Sequence, residues 1–297
     1  MKVFVTGSES FVGRELIKQC LGEGIEVSGC DVTNKKSQDY DFHQADIRSK
    51  ELLDFIPEGL DAVIHLAAIA RDKDCKANPV LCYDVNLSGT INVADSARAK
   101  NARQIIFAST EWVYGPFEPG ETKNEDTEID PTILDSDYAF SKMLCEIVLK
   151  ERFKISSIPT TILRFGIIYG PRLPAGSAAD SLFIDVATKD EIKVNCLKTG
   201  RHFVHVSDIA SGIVKSFGLP GFNTINLVGD HLITLGEVIE TSKKILGRNP
   251  KVIEVNPSNV NERRLENPRA KELLSWSPEI DIETGLKSLL KIIPKIK

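Results

Sequence analysis

Short β-rich apolar runs alternate with longer stretches of helical periodicity through the first half of the chain. Strands are expected at Val3 to Val5, Glu26 to Gly29, Ala62 to Leu66, Ile105 to Ala108 and Thr160 to Leu163. Helices are expected near Phe11 to Cys20, Lys50 to Phe55, Pro79 to Ala99 and Tyr138 to Arg152. This alternation is the signature of βαβ units, and the order is that of an α/β fold with a doubly wound parallel sheet. Beyond about Arg164 the alternation fails, and Pro171, Pro174, Gly176, Pro220, Pro250, Pro257, Pro268 and Pro278 punctuate shorter elements. A smaller, irregular C-terminal lobe is expected there, with helices at Leu235 to Leu246, Pro268 to Leu274 and Ile282 to Ile293. Residues 1–165, with return segments near 203–228, are expected to form the sheet domain, and 166–297 mainly the second lobe.

Composition narrows the function. With 297 residues, 42% hydrophobic and 27% charged, the chain suits a globular protein and neither a disordered nor a fibrous one. A formal charge of -5 and no basic tract give no footprint for nucleic acid, so small ligands are the expected partners. The apolar start Val3-Phe4-Val5 runs into Thr6-Gly7 without the pattern of a secretion signal, and no apolar run approaches the roughly 20 residues that cross a bilayer. Six scattered cysteines show neither a C-x-x-C pair nor zinc-site spacing, which predicts buried reduced thiols, no metal and a reducing cytoplasm.

The segment from Val5 to Gly13 follows a strand and opens a helix, as a phosphate-binding turn requires. Gly7 allows the tight turn, the backbone N–H groups of Ser10, Phe11 and Val12 can face a pyrophosphate, and Gly13 permits close helix-to-strand packing. Asp31 ends the second predicted strand, where a carboxylate accepts hydrogen bonds from an adenosine ribose and repels a 2′-phosphate. NAD is favoured over NADP.

Tyr138 and Lys142 stand at i and i+4 on a predicted helix, so both side chains share a face. A phenol of pKa near 10 is a poor base at neutral pH, and lowering it by about three units takes roughly 4 kcal/mol of preferential anion stabilisation. An adjacent ammonium and a cationic nicotinamide ring are able to supply that.

These motifs, taken together and in order, resemble the extended short-chain dehydrogenases, the NAD-dependent epimerase/dehydratase group with a Rossmann-type sheet. Thr6-Gly7-x-x-Ser10-x-x-Gly13 is similar to the family's T-G-x-x-G-x-x-G turn, with Ser10 replacing the middle glycine. Its hydroxymethyl group must clear the pyrophosphate or the helix. Asp46 and Ile47 fall at the adenine-contacting step, Leu66, Ala67 and Ala68 follow His65 after the fourth strand, and Asn86 matches the N-x-x-G-T helix. Ser109-Thr110-Glu111-Trp112-Val113-Tyr114-Gly115 resembles S-[ST]-x-x-V-Y-G.

The resemblance implies roles. Tyr138 exchanges the proton of the reacting hydroxyl, Lys142 lowers its pKa and holds the nicotinamide ribose, and Thr110 bonds the reacting oxygen. Gly7, Ser10, Phe11, Val12, Gly13, Asp31, Asp46, Ile47, Leu66, Ala67, Ala68, Asn86 and Ser109, with Tyr138 and Lys142, are the expected cofactor contacts. Dehydratases of the family carry two acids after the threonine; here only Glu111 is acidic, and Trp112 cannot transfer a proton. Glu111 and Trp112 are expected at the sugar.

Leu163-Arg164 to Gly170-Pro171-Arg172 resembles L-R-x-x-N-V-Y-G-P, with Ile167 at the asparagine, and Arg201-His202-Phe203-Val204-His205 resembles R-D-[FY]-[VI]-H. Arg201 inherits the contact to a substrate diphosphate, with Arg264 as a second clamp and Arg172 at the sugar cleft. Pro268 to Pro278 resembles the family's closing helix, so the likeness spans the chain.

The expected activity is transient oxidation of a nucleoside-diphosphate sugar, with a UDP-sugar 4-epimerase first. A 4,6-dehydratase or ketoreductase comes next, and a non-catalytic NAD-binding module last. By resemblance a homodimer forms through the helices Pro79 to Ala99 and Tyr138 to Arg152.

Overall fold

The computed structural model describes residues 1–34 and 36–293. Seven strands form one sheet: β1 Lys2–Thr6, β2 Glu26–Asp31, β3 Asp41–Gln44, β4 Ala62–His65, β5 Ile105–Thr110, β6 Thr160–Phe165 and β7 Phe222–Leu227. They lie in the order β3-β2-β1-β4-β5-β6-β7, every neighbouring pair parallel. The chain winds outward from β1 to β3 and then returns to β4 on the other side of β1. The reversal leaves a crevice at the carboxyl ends of the strands, where ligands of such sheets bind.

Period-two alternation splits the core into two layers. Val3 and Val5 pack with Leu16 and Ile17 of helix α1, Phe11–Gly22, while Phe4 between them faces Leu52, Val63 and Val93 on the opposite side. β5 repeats the division, with Ile106 and Ala108 on one face and Ile105 and Phe107 on the other. Burial on both faces explains why the middle strands read as unbroken apolar runs. Truncating the fully buried Phe107 to alanine is worth about 3–5 kcal/mol.

Helix α2, Asp137–Ser156, starts at Ser136, whose hydroxyl accepts from the Ala139 N–H at 3.2 Å, and stops at Ser157 in the left-handed region at φ 57°. It packs across β5 and β6 and presents Tyr138, Lys142 and Glu146 in successive turns. The stretch Pro79 to Ala99, expected as one regular helix, is instead Pro79–Tyr83, a π-helical turn Asp84–Ser88 and Gly89–Ala99. A Cβ at Gly89 would lie 2.5 Å from Ile47 Cδ1, so the helix packs closely on that side chain.

The predicted Lys50 to Phe55 helix forms only over Leu52–Phe55, and Ile282 to Ile293 divides into a helix, Ile282–Ser288, and a 3₁₀ turn, Leu289–Lys291. In the C-terminal region, helices Ala178–Thr188 and Leu235–Leu246 each open with a capping box and pack around Phe183, Val186, Val238 and Ile239. Helix Val206–Lys215 returns to the sheet side against α1, where Gln19 Nε2 donates to the Ser207 carbonyl at 2.9 Å. The end of the expected lobe, 294–297, lies outside the described residues. Among the described residues no helix is long and apolar enough to cross a membrane.

Candidate active site

A cleft of about 780 Å³ opens over the carboxyl ends of β1, β4 and β5. Its wall contains Gly7, Ser10, Phe11, Val12, Asp31, Asp46, Ile47, Leu66, Ala67, Ala68, Ser109, Thr110, Trp112, Tyr138, Lys142 and Arg172. Residues from distant parts of the sequence thus meet on one surface. Gly13, Asn86, Glu111, Arg201 and Arg264 do not line it.

The glycine turn is built as a cradle. Gly7 sits at φ +67°, and a Cβ there would lie 2.7 Å from the Ala67 nitrogen. A Cβ on Gly13 would lie 2.4 Å from the Gly7 carbonyl oxygen, so Gly13 supports the cleft from behind. Ser10 caps α1, its Oγ accepting from the Gly13 N–H at 3.0 Å in ordinary extended backbone. The hydroxyl therefore occupies one of the first-turn donors, and those of Phe11 and Val12 remain at the cleft. Backbone donors at the positive end of a helix are what a pyrophosphate requires, so the residues present fit a dinucleotide.

Beyond the turn, Asp31 Oδ1 accepts from the Thr33 N–H and Oδ2 from the Glu9 N–H, both at 3.1 Å. Asp46 is fully engaged by Arg48, whose Nη2 lies 2.6 Å from Oδ2; that guanidinium holds the carboxyl below its usual range. Asn86 works from behind, accepting from the Ile69 N–H at 2.8 Å and donating to the Ser141 hydroxyl at 2.9 Å. It ties the segment after β4, on the cleft wall, to α2. His65 is a core residue, with Nδ1 2.7 Å from Thr6 Oγ1 and Nε2 3.0 Å from Thr90 Oγ1. Burial, aided by the Lys142 charge, brings its pKa down to about 3.

At the chemical centre Lys142 is 3% exposed, donates to the Ala108 carbonyl at 2.8 Å and stands 4.5 Å over the Phe107 ring. Burial lowers its pKa to about 8. Tyr138 is pushed up to about 12 by burial, with the Thr110 hydroxyl pulling the other way and the thiols of Cys75, Cys82 and Cys145 adding to the rise. Burial keeps the phenol protonated, so making it a base takes more positive charge beside it than Lys142 alone supplies. Ser109 donates to Glu146 Oε1 at 2.5 Å, and Arg164 clasps the same carboxylate at 3.1 and 2.7 Å. This buried trio fixes α2 against β5 and β6 one turn beyond Lys142.

The substrate expectations fare unevenly. Glu111 is fully buried and points away from the cleft, because Arg263 Nε meets its Oε1 at 3.1 Å and Nη2 meets its own carbonyl at 2.9 Å. Arg263 also donates to the Gly115 carbonyl at 2.8 Å and stacks 4.4 Å from the Trp112 ring. Trp112, 38% exposed, is left on the cleft wall. Arg264 pairs with Glu262 at 2.7 Å, away from the cleft wall; of the adjacent pair it is Arg263, which the sequence does not single out, that is buried. Arg201 bonds the Gly200 and Asn261 carbonyls through Nη1, and Arg172 lines the cleft, stacked 4.2 Å from the Phe11 ring and paired to the buried Asp180 at 3.2 Å. Among the described residues no group of three His, Cys, Asp or Glu is placed to hold a metal ion.

The chain is similar to known proteins along most of its length. A family model described as the NAD dependent epimerase/dehydratase family matches residues 3–221. The UDP-glucuronate 4-epimerase of Thermodesulfobacterium geofontis is 30% identical over 307 residues, covering 95% of this chain and 93% of that one. The putative UDP-glucose 4-epimerase of Methanocaldococcus jannaschii is 29% identical over 301 residues, covering 97% of both. The solved structure of the Thermus thermophilus UDP-glucose 4-epimerase in complex with NAD is similar at a TM-score of 0.85 and 25% identity, covering 99% of each chain.

Proposed function

From the premise that the chain belongs to the NAD dependent epimerase/dehydratase family, we propose that it is an NAD-dependent nucleotide-sugar 4-epimerase of the UDP-sugar type. The observation that carries the reading is the meeting of Thr110, Tyr138 and Lys142 on the wall of a cleft whose other end is the glycine turn.

Gly7, Ser10, Phe11 and Val12 would hold the pyrophosphate of NAD, Asp31 the adenosine ribose, and Lys142 the nicotinamide ribose. When bound, NAD accepts a hydride from the sugar ring carbon and returns it. Tyr138 takes the proton of the C4 hydroxyl as the alcohol becomes a ketone and gives it back on reduction. Thr110 holds the reacting oxygen, and the Lys142 ammonium supplies charge that favours the phenolate. Epimerisation needs the ketosugar to present its other face, which leaves no net redox change. Arg172 and Trp112, both on the cleft wall, are proposed for the sugar, while Arg201, which lies off that wall, is proposed for the diphosphate on the family resemblance alone.

A dehydratase is the runner-up, and the Glu111–Arg263 pair disfavours it: a carboxylate held by a guanidinium and buried behind the wall cannot reach a sugar proton. A ketoreductase would consume NADH stoichiometrically, and a non-catalytic module would bind NAD without turnover. We also propose a homodimer through Pro79 to Ala99 and α2, where Val80, Ile147 and Ile155 are 80%, 52% and 70% exposed. Six free buried cysteines suit a cytoplasmic location. The test is incubation with NAD and a panel of nucleoside-diphosphate sugars, followed by NMR of the products. A C4 epimer with no accumulated NADH is expected, and loss of water or stoichiometric NADH use would overturn the reading.

A further inference from the structure

Glu9 is the acidic residue within the glycine turn Gly7 to Gly13, and the reaction proposed above makes no use of it. It is 5% exposed, although it borders the cleft. Its Oε1 accepts from the Ser37 N–H at 3.0 Å and the Tyr40 hydroxyl at 2.7 Å. Its Oε2 has no hydrogen-bond partner and lies 3.3 Å from Arg14 Nε, the Arg14 side chain being 58% exposed. Its own N–H donates to Asp31 at 3.1 Å, so the two carboxylates belong to one linked cluster. Burial pushes the Glu9 carboxyl up, but the Ser37 amide, the Tyr40 hydroxyl and Arg14 more than offset this and keep it ionised at neutral pH.

We infer that Glu9 is a second cofactor-selecting carboxylate, acting with Asp31 to admit a dinucleotide with a free ribose 2′-hydroxyl and reject one with a 2′-phosphate. This rests on the NAD-binding reading of the cleft. A phosphomonoester carries about −1.5 to −2 charges at neutral pH. One more carboxylate within a Debye length, at the effective dielectric of a partly buried site, is worth about tenfold in affinity against it. A hydroxyl carries no charge and feels the same carboxylate weakly. A purely structural brace, by contrast, would weaken both dinucleotides alike, so the ratio of the two dissociation constants separates the roles.

The full chain is titrated calorimetrically with NAD and with NADP. Glu9→Gln keeps the acceptor oxygen for Ser37 and Tyr40 and removes the charge; the ratio Kd(NADP)/Kd(NAD) is expected to fall about tenfold. Glu9→Asp, which keeps the charge, should hold the ratio closer to the parent value. Arg14 also lines the cleft, so its own charge is separated from that of Glu9 by repeating the comparison in the Arg14→Gln background, where Glu9→Gln should again lower the ratio about tenfold, with Glu9→Ala in its place if Glu9→Gln does not fold. A ratio within twofold of its own background when the Glu9 charge is removed, with or without Arg14, overturns the inference. If the parent chain binds neither dinucleotide, the reading beneath it fails instead.

Discussion

Replacing Arg263 by methionine removes the counter-ion of a carboxylate that has no access to water. Glu111 is 0% exposed, its Oε2 already has no hydrogen-bond partner, and burial holds its pKa above the usual value even with Arg263 opposing. Arg263 also donates to the Glu111 and Gly115 carbonyls, which lose their partners in the same step. Breaking a buried pair from one side costs about 3–5 kcal/mol, which corresponds to a fall in Tm on the order of 10 °C. The orphaned carboxyl has a folded pKa raised above its unfolded value. Its stability contribution is therefore complete at low pH and lost as pH rises, so the deficit of Arg263→Met should be smallest near pH 5 and grow toward pH 8. Glu111→Leu combined with Arg263→Met removes both charges and should recover at least half of the loss. Urea denaturation of the three proteins across that range is the assay. If Arg263→Met is as stable as the parent, or if its deficit shrinks as pH rises, Glu111 is not anchored as described and its exclusion from the chemistry fails with it.

Three further outcomes follow from the same geometry. Neutral His65, held at about 3 against an ordinary 6.5, contributes stability above pH 6.5 that is lost as pH falls, at most about 5 kcal/mol; the urea midpoint of His65→Gln should fall less between pH 6.5 and 4 than the parent's. Ser10→Gly frees the Gly13 N–H and should tighten NAD severalfold by titration while costing a few tenths of a kcal/mol in stability; weaker NAD binding would contradict the capping role. Lys142 is charged below about 8 and neutral above, so kcat/KM should decline as pH rises through that value, and Lys142→Arg should abolish the decline; a parent profile flat from pH 7 to 9.5 would count against it.

The parts of the fold legible in the sequence are those where burial on both faces makes the strand uniformly apolar. β1, β4 and β5 read directly. β3 does not, because it is an edge strand, Asp-Phe-His-Gln, buried on neither face. β7, at the other edge, carries Asn223, Thr224 and Asn226, and Asn226 is accommodated by Tyr114 and by the Glu266 carbonyl, partners far away in the sequence. The π turn Asp84–Ser88 has no local signal in the sequence, which reads as one continuous helix from Pro79 to Ala99.

The candidate site divides in the same way. Residues on rigid strand ends and helix turns come together in one cleft because spacing on regular elements fixes their direction. Residues on irregular connections do not. Arg263 and Arg264 are adjacent and chemically alike, and only the parallel pairing of Arg264–Leu265 with Thr122–Lys123 decides which of them faces Glu111. Likewise Glu111 reads as a sugar ligand in the sequence because its buried partner lies 152 positions away.

The central claim is that the Tyr138 phenol carries the proton of the reacting hydroxyl. Tyr138→Phe deletes that oxygen alone, and its turnover of the nucleotide sugar that the parent epimerises measures the claim directly. NAD binding close to that of the parent, with turnover reduced by about 10²–10⁴-fold, is expected; turnover within threefold of the parent would contradict it.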